Sequence, residues 1–80
     1  MRNVTFRDKQ YIAMLAMGLE SPSIAGELGV ARCSVDNAVA DIMKKTDTQT
    51  RAELVAKSFK EGYLVWNDGR LVINHEIEEA

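Results

Sequence analysis

The stretch that decides the fold is SPSIAGELGVARCSVDNAVADIMKK, residues 21–45. Its first part predicts a short helix, because Ser21 is a suitable N-cap and Pro22 suits the first helical position, where a missing amide costs no hydrogen bond. Gly29 is a natural end, since glycine tolerates the left-handed backbone that closes many helices. The apolar residues between these signals share one face, at Ile24, Ala25 and Leu28.

A longer helix follows in the second part of the stretch. Its apolar residues recur at helical spacing as far as residues 44–45, at Val35, Ala38, Val39 and Ile42. A turn of about three or four residues that contains Gly29 joins the two helices. This pattern is typical of a helix-turn-helix, in which the second helix is presented to a DNA groove, although many small helical proteins share it.

A further helix is predicted on the N-terminal side. Thr5 and Asp8 form a variant of the capping box, so a helix is expected over residues 6–17, and Gly18 is its expected end. Its apolar stripe is predicted to be core and comprises Tyr11, Ile12, Leu15 and Ala16.

A fourth helix is predicted on the C-terminal side. Thr50 and Glu53 have the T-x-x-E spacing of a full capping box, and Gly62 marks the end of the helix. Its amphipathic face carries Leu54, Val55, Ser58 and Phe59. Four helices within residues 4–62 predict an all-α domain.

The character of the chain changes after these helices. Within residues 63–73, two β-prone runs flank the turn sequence Asn67-Asp68-Gly69, which predicts a β-hairpin. With a two-residue loop, the facing apolar pairs on one side are Trp66 with Leu71 and Leu64 with Ile73. Because a lone hairpin is marginal in water, it should lie on the helices or pair with the same element of another chain. We take residues 63–80 as this hairpin followed by an acidic tail.

Composition bounds the class of protein. The chain has 80 residues, of which 46% are hydrophobic and 28% charged, so one small globular domain is expected. Its net charge of −2 gives no global electrostatic reason to expect nucleic acid or an anionic membrane as a partner. The acidity is concentrated, since residues 1–62 carry +1 and residues 63–80 carry −3.

The expected compartment is the cytoplasm. Cys33 is the single cysteine, whereas a secreted domain of this size usually has several paired cysteines. The apolar run at residues 11–19 superficially resembles the apolar part of a signal peptide, but it also suits a helix face that the core needs. It is too short to span a bilayer, which takes about 20 residues, so no membrane association is expected.

Nothing in the sequence predicts catalysis, a cofactor or a metal site. His75 and Cys33 lie far apart with no oriented third group, and no Cys/His cluster or glycine-rich phosphate loop is present. Cys33 is expected to be semi-buried in a helix. The methionines are expected to fill gaps in the core, at Met14, Met17 and Met43.

Several segments match a known family pattern in order and without a gap over residues 4–64. They are VTFRD (4–8) for L-T-x-R-E, LAMG (15–18) for L-A-x-G, IAGELGV (24–30) for I-A-x-x-L-x-I, Ser34-Val35 for T-V, Ile42 and Lys45 for I-x-x-K, and RAELV (51–55) for R-x-E-A-V. In this order they resemble the LuxR/GerE-type helix-turn-helix domain, which in GerE is a stand-alone protein. The resemblance implies a four-helix domain that binds DNA as a dimer.

The resemblance also implies roles for individual helices. The third helix would enter the major groove, and the fourth would form the subunit contact through Val55 and Phe59, with Tyr63 beside them. Four positions of the third helix depart from the family pattern, where serine, lysine, histidine and a further basic residue are usual: Ala31, Asp36, Ala38 and Ala40.

Six residues remain as candidates for DNA contact: Arg32, Ser34, Asp36, Asn37, Lys44 and Lys45. Arg32 and the two lysines suit phosphates, Asn37 suits adenine, and Asp36 can accept a hydrogen bond from the amino group of cytosine. The structural alternative is that the lysines favour the negative end of the helix dipole and that the other charges are ordinary surface groups.

We therefore expect a small stand-alone transcription regulator of bacterial or phage type that binds double-stranded DNA as a homodimer. The alternative is a degenerate helix-turn-helix module that binds and inhibits another transcription regulator or RNA polymerase by protein contact. Asp36, Ala38 and the acidic tail favour this alternative. A third interpretation, resemblance to region four of sigma factors, is disfavoured by residues 50–55.

Overall fold

The computed structural model describes residues 4–74, which form four helices followed by two strands. The elements are α1 (Phe6–Ala16), α2 (Ser21–Leu28), α3 (Arg32–Thr46), α4 (Arg51–Glu61), β1 (Leu64–Asn67) and β2 (Arg70–Ile73). The prediction of a mostly helical chain with a C-terminal hairpin is confirmed. Most of the acidic tail, with His75, lies outside the described residues. No helix within residues 4–74 has both the length and the hydropathy needed to cross a membrane.

The two predicted capping boxes have different outcomes. At α1 both hydrogen bonds form: the amide of Asp8 donates to Thr5 Oγ1, and the amide of Thr5 donates to Asp8 Oδ2, each at 3.1 Å. At α4 the amide of Glu53 donates to Thr50 Oγ1 at 3.0 Å. The carboxylate of Glu53, however, accepts from the amide of Gln49 at 2.7 Å, so only half of the expected box is present.

Two other expectations at helix ends are corrected. The first helix ends at Ala16 and not at Met17. The N-cap of α2 is Glu20, and Ser21 is the first helical residue. The hydroxyl of Ser21 does not cap its own helix, because it donates to a carboxylate of α3. The expected left-handed end of α2 is confirmed at Gly29, whose φ is 68°.

The core is shared by all four helices and the first strand. Its buried members are Tyr11, Ile12, Ile24, Ala25, Val35, Val39, Ile42, Leu54 and Leu64. α2 packs on α3, while α1 contacts α3, α4 and β2, and β1 contacts α4. Because Leu64 belongs to this core, the hairpin is part of the same packing unit as the helices.

The hairpin has the predicted register. Leu64 pairs with Ile73 and Trp66 pairs with Leu71. The turn residues Asp68 and Gly69 have φ values of 55° and 75°, which is the left-handed conformation that a two-residue hairpin loop requires. The hairpin therefore turns at the residues that the sequence indicates.

A buried lysine anchors the end of the hairpin to the first helix. The side chain of Lys9 is fully buried, and its Nζ donates to the backbone oxygen of Asn74 at 3.0 Å. The same ammonium lies 5.0 Å from the ring centroid of Tyr63, within range of a cation–π interaction. Lys9 thus joins α1 to both ends of the hairpin segment.

We predict that Lys9→Ala destabilises the fold. The substitution removes buried methylenes and a charged hydrogen-bond donor, so the free energy of unfolding should fall by about 2–4 kcal/mol in urea denaturation. Lys60→Ala, at an exposed position of α4, is the matched control and should change it by less than about 0.5 kcal/mol. Equal effects of the two substitutions would contradict the anchoring role of Lys9.

Candidate nucleic-acid interface

The third helix has one buried and one exposed side. Its buried stripe packs into the core through Val35, Val39, Ile42 and Thr46. The opposite side is exposed along the whole helix, at Arg32, Ser34, Asn37, Ala40, Asp41 and Lys44. The exposed side contains most of the predicted DNA contacts. α3 is therefore held by its apolar stripe and exposes mostly polar side chains to the solvent.

The N-terminal end of α3 is open. Its N-cap is Ala31, which has no side-chain acceptor, so the first amides of the helix receive no side-chain cap. The side chain of Arg32 is 69% exposed at this end. Cys33 is also exposed, which corrects the expectation that it is semi-buried. Arg32 therefore places a positive charge beside a helix start that has no side-chain cap, and Asp36 lies one turn further along the helix.

A polar cluster fixes the position of α3 relative to α2 and α4. Ser21 Oγ donates to Asp36 Oδ1 at 2.5 Å. Arg51 Nη2 lies 3.2 Å from the same Oδ1 and 2.9 Å from Ser21 Oγ. Arg32 Nε lies 3.8 Å from Asp36 Oδ2, one turn earlier on α3. The Asp36 cluster, as we call Ser21, Arg32, Asp36 and Arg51, thus joins the starts of α2 and α4 to the first half of α3.

The surroundings of Asp36 favour its ionised form. The hydrogen bond from Ser21 is the largest cause of a lowered pKa, and Arg51 and Arg32 add to it, while partial loss of solvent acts in the opposite direction. The carboxylate is 46% exposed, and two guanidinium groups offset its charge. Asp36 is therefore a paired carboxylate that links three helices and not an isolated negative charge.

The two lysines near the end of α3 differ. Lys44 is exposed. Lys45 Nζ lies 2.8 Å from Asp8 Oδ2, whose side chain is only 13% exposed, so Lys45 links α3 to the first turn of α1. Lys57 of α4 donates to the backbone oxygen of Thr46 at 2.6 Å and thereby satisfies a carbonyl at the C-terminal end of α3.

The three residues expected at the subunit contact differ in their exposure to solvent. Val55 and Phe59 are half-buried on α4. Tyr63 is only 4% exposed and packs beside Lys9. This burial corrects the placement of Tyr63 beside a subunit contact, because its side chain is enclosed within a single chain.

The described residues include no obvious centre for metal chemistry. Within residues 4–74, no group of three or more His, Cys, Asp or Glu side chains lies close enough together to hold a metal ion. Every buried side-chain nitrogen or oxygen in this part of the chain has a hydrogen-bond partner.

Sequence reasoning missed the partners of the charged residues. It gave Asp36 and Lys45 as candidates for DNA contact, with ordinary surface groups as the alternative, and it gave no contact within the fold to Arg51 or Lys57. Local patterns carry no signal for these contacts, because Arg51 meets a serine 30 residues away and Lys45 meets an aspartate 37 residues away. Only the packing of the helices brings them together.

Comparisons with known proteins do not assign this chain to a family. No protein-family model, no curated protein and no solved structure matches this chain. The LuxR/GerE resemblance therefore stays a prediction.

We predict that Asp36 stabilises the fold in a pH-dependent way. Its pKa is lower in the folded chain than the ordinary value of 3.8, so the ionised form favours folding above about pH 4, and this contribution disappears as the pH falls through the folded-state pKa. Wild type should therefore have a higher urea midpoint than Asp36→Asn at pH 7, and the difference should close in acid. A difference that stays constant from pH 7 to pH 2 would contradict the role of the charge.

Proposed function

We propose that this protein is a small transcription regulator of bacterial or phage type that binds duplex DNA as a homodimer through α3, as the LuxR/GerE resemblance implies. The observation that carries the proposal is the exposed side of α3, which extends along the whole helix, is mostly polar and lies opposite the apolar packing on α2 and α1. A helix of 15 residues is about 22 Å long, and a major groove about 12 Å wide accepts it.

Specific residues take the roles that their chemistry and exposure allow. Arg32, beside the open helix start, contacts a phosphate, and Lys44 contacts another at the far end. Asn37 is exposed between them and has the amide that pairs bidentately with adenine. Ser34 supplies a further short hydrogen-bonding group. These four residues form the proposed reading surface.

Asp36 and Lys45 take positioning roles in this proposal. Asp36 accepts from Ser21 and Arg51, so it orients α3 instead of reading a cytosine. Lys45 is engaged by Asp8 and contributes little to phosphate binding.

The proposed protein works in a reducing cytoplasm, since an exposed thiol at Cys33 beside the reading surface suits an environment that keeps it reduced.

The proposal predicts selective enrichment of DNA. Purified protein should select fragments with two-fold-related half-sites from a random duplex pool at low salt and again at physiological salt. Enrichment that disappears at the higher salt would indicate nonspecific binding. No enrichment at either salt, with folded protein confirmed by circular dichroism, would reject the DNA-binding proposal.

Substitutions on α3 should distinguish base recognition from phosphate contact. Asn37→Ala should weaken binding to the selected site by about 1–3 kcal/mol and relax the preference at one base position. Lys44→Glu should weaken binding to all sequences and lower the slope of affinity against salt. Lys60→Glu, the same charge reversal on α4, is the control and should leave that slope unchanged. Fluorescence anisotropy over a salt series measures all three.

A second candidate function is supported by the charge on α3. The exposed cations Arg32 and Lys44 are offset in part by Asp41, and the charge of Asp36 is taken up by Arg51 and Arg32, so this side of the helix has little net positive charge. Such a surface also fits a module that binds and inhibits another transcription regulator or RNA polymerase. The substitution Lys44→Glu distinguishes the two functions. It should weaken a DNA complex in a salt-dependent way, but it should leave intact a complex with a protein partner that forms through α4.

A further inference from the structure

The largest exposed apolar side chains of the described residues lie close to each other in the fold. Met17 is 68% exposed at the end of α1, and Trp66 is 62% exposed on β1. Both line one shallow cleft together with Leu71. The exposure of Met17 corrects the expectation that it fills a gap in the core. Large apolar side chains exposed next to each other mark a candidate contact surface.

Trp66 is held in a defined orientation. One face of its indole stacks on Phe59 of α4, with the ring centroids 6.2 Å apart and the planes 8° from parallel. The stack leaves much of the indole in solvent while it restricts its motion. A rigid, exposed tryptophan can enter a partner's pocket with little loss of conformational entropy.

An apolar groove lies one helical turn from Phe59, the residue on which this tryptophan stacks. The α4 groove, as we call it, has a volume of about 400 Å³ and runs between the end of α1 and the start of α4. Its lining includes Leu15, Leu19, Ala52 and Val55, with Glu20 and Arg51 also at its wall. An apolar floor with charged groups around it is the usual composition of a pocket that receives an aromatic anchor.

The tryptophan and the groove share one side of α4. Val55 lines the groove, and Phe59, which supports Trp66, lies one helical turn later. The two positions are about 6 Å apart along the helix. The end of α1 also contacts both the groove and the tryptophan cleft. Ala16 and Gly18 line the α4 groove, and Met17 between them lines the cleft with Trp66.

We propose that Trp66 of one chain inserts into the α4 groove of a second copy, and that the contact is reciprocal. With a two-fold axis that passes α4 between Val55 and Phe59, the two α4 helices pack antiparallel. Each Trp66 then faces the α4 groove of the other copy. The inference rests on the homodimer of the proposed function and identifies the residues that hold it together.

The exposed indole of Trp66 adds apolar area to a contact made through α4. A stable interface buries about 800 Å² on each partner. Val55 and Phe59 are both half-buried already, so α4 alone offers only a small part of this area. An exposed fraction of 62% on tryptophan corresponds to about 150 Å² of further apolar surface, and Met17 and the groove walls extend it. The hairpin therefore supplies area that α4 lacks.

The single tryptophan of the chain makes the proposal directly measurable. On dilution of the wild-type protein without DNA, the emission of Trp66 should shift to longer wavelength as the dimer dissociates and the indole returns to water. Sedimentation velocity over the same concentrations should show the dimer mass falling to that of a monomer of 8.9 kDa. A constant monomer mass with constant emission would overturn the proposal.

Two variants test the two halves of the contact. Trp66→Ala removes the inserted side chain, and Ala52→Glu places a charge in the groove at an exposed position in the first turn of α4, where an acid suits the helix dipole. Each should raise the dimer Kd at least about tenfold. Val72→Ser, at a position 38% exposed on the other face of the hairpin, is the matched control and should leave the Kd unchanged.

Mixing the two variants gives a test that misfolding cannot imitate. A Trp66→Ala chain keeps its groove and an Ala52→Glu chain keeps its tryptophan, so a mixed dimer retains one of the two contacts. The mixture should associate more strongly than either variant alone. A dimer that is insensitive to both substitutions, or a mixture no stronger than its components, would overturn the proposal. Loss of DNA selection with an intact Trp66-dependent dimer would instead reject only the DNA-binding function.

Discussion

Three helices meet at the carboxylate of Asp36. The hydroxyl of Ser21 at the start of α2 and the guanidinium of Arg51 at the start of α4 both reach its Oδ1. Apolar packing brings helices together but is not directional, whereas hydrogen bonds require a particular orientation of donor and acceptor. The Asp36 cluster therefore adds an oriented contact to the apolar packing that holds α3 against its neighbours. The side of α3 that faces the solvent, and with it any recognition by this helix, depends on the packing and this contact together.

This arrangement changes the meaning of the departures from the LuxR/GerE pattern. An acid in place of a basic residue would oppose DNA if it stood alone, but here it is paired with Arg51 and Arg32. In the proposed complex, phosphate attraction is weak and falls to Arg32 and Lys44, so hydrogen bonds from short polar side chains such as Asn37 would carry more of the specificity. A regulator of this kind would depend on a second subunit for affinity.

The hairpin illustrates how a small domain uses its limited apolar residues. Leu64, at the start of β1, lies in the core. Asn74, directly after β2, accepts a hydrogen bond from Lys9 of α1, so the open end of the hairpin is attached to the helices. Trp66 nevertheless remains exposed at the far end, supported only from one side by Phe59. Its stack on α4 makes the hairpin continuous with the helix for which the resemblance implies a subunit contact. The proposed second copy gives this exposure a physical reason.

The sequence by itself determined the features that depend on residues close together in the chain. The capping pair Thr5 and Asp8, the left-handed Gly29 and the turn at residues 68–69 could all be predicted, because each involves contacts within about four residues. Tertiary structure decided which charged side chains face water and which are paired, since helix packing brings Lys9 to a backbone oxygen 65 residues away and Ser21 to Asp36. A lysine or aspartate has the same local pattern whether it is solvated or buried, so only the folded chain assigns its role.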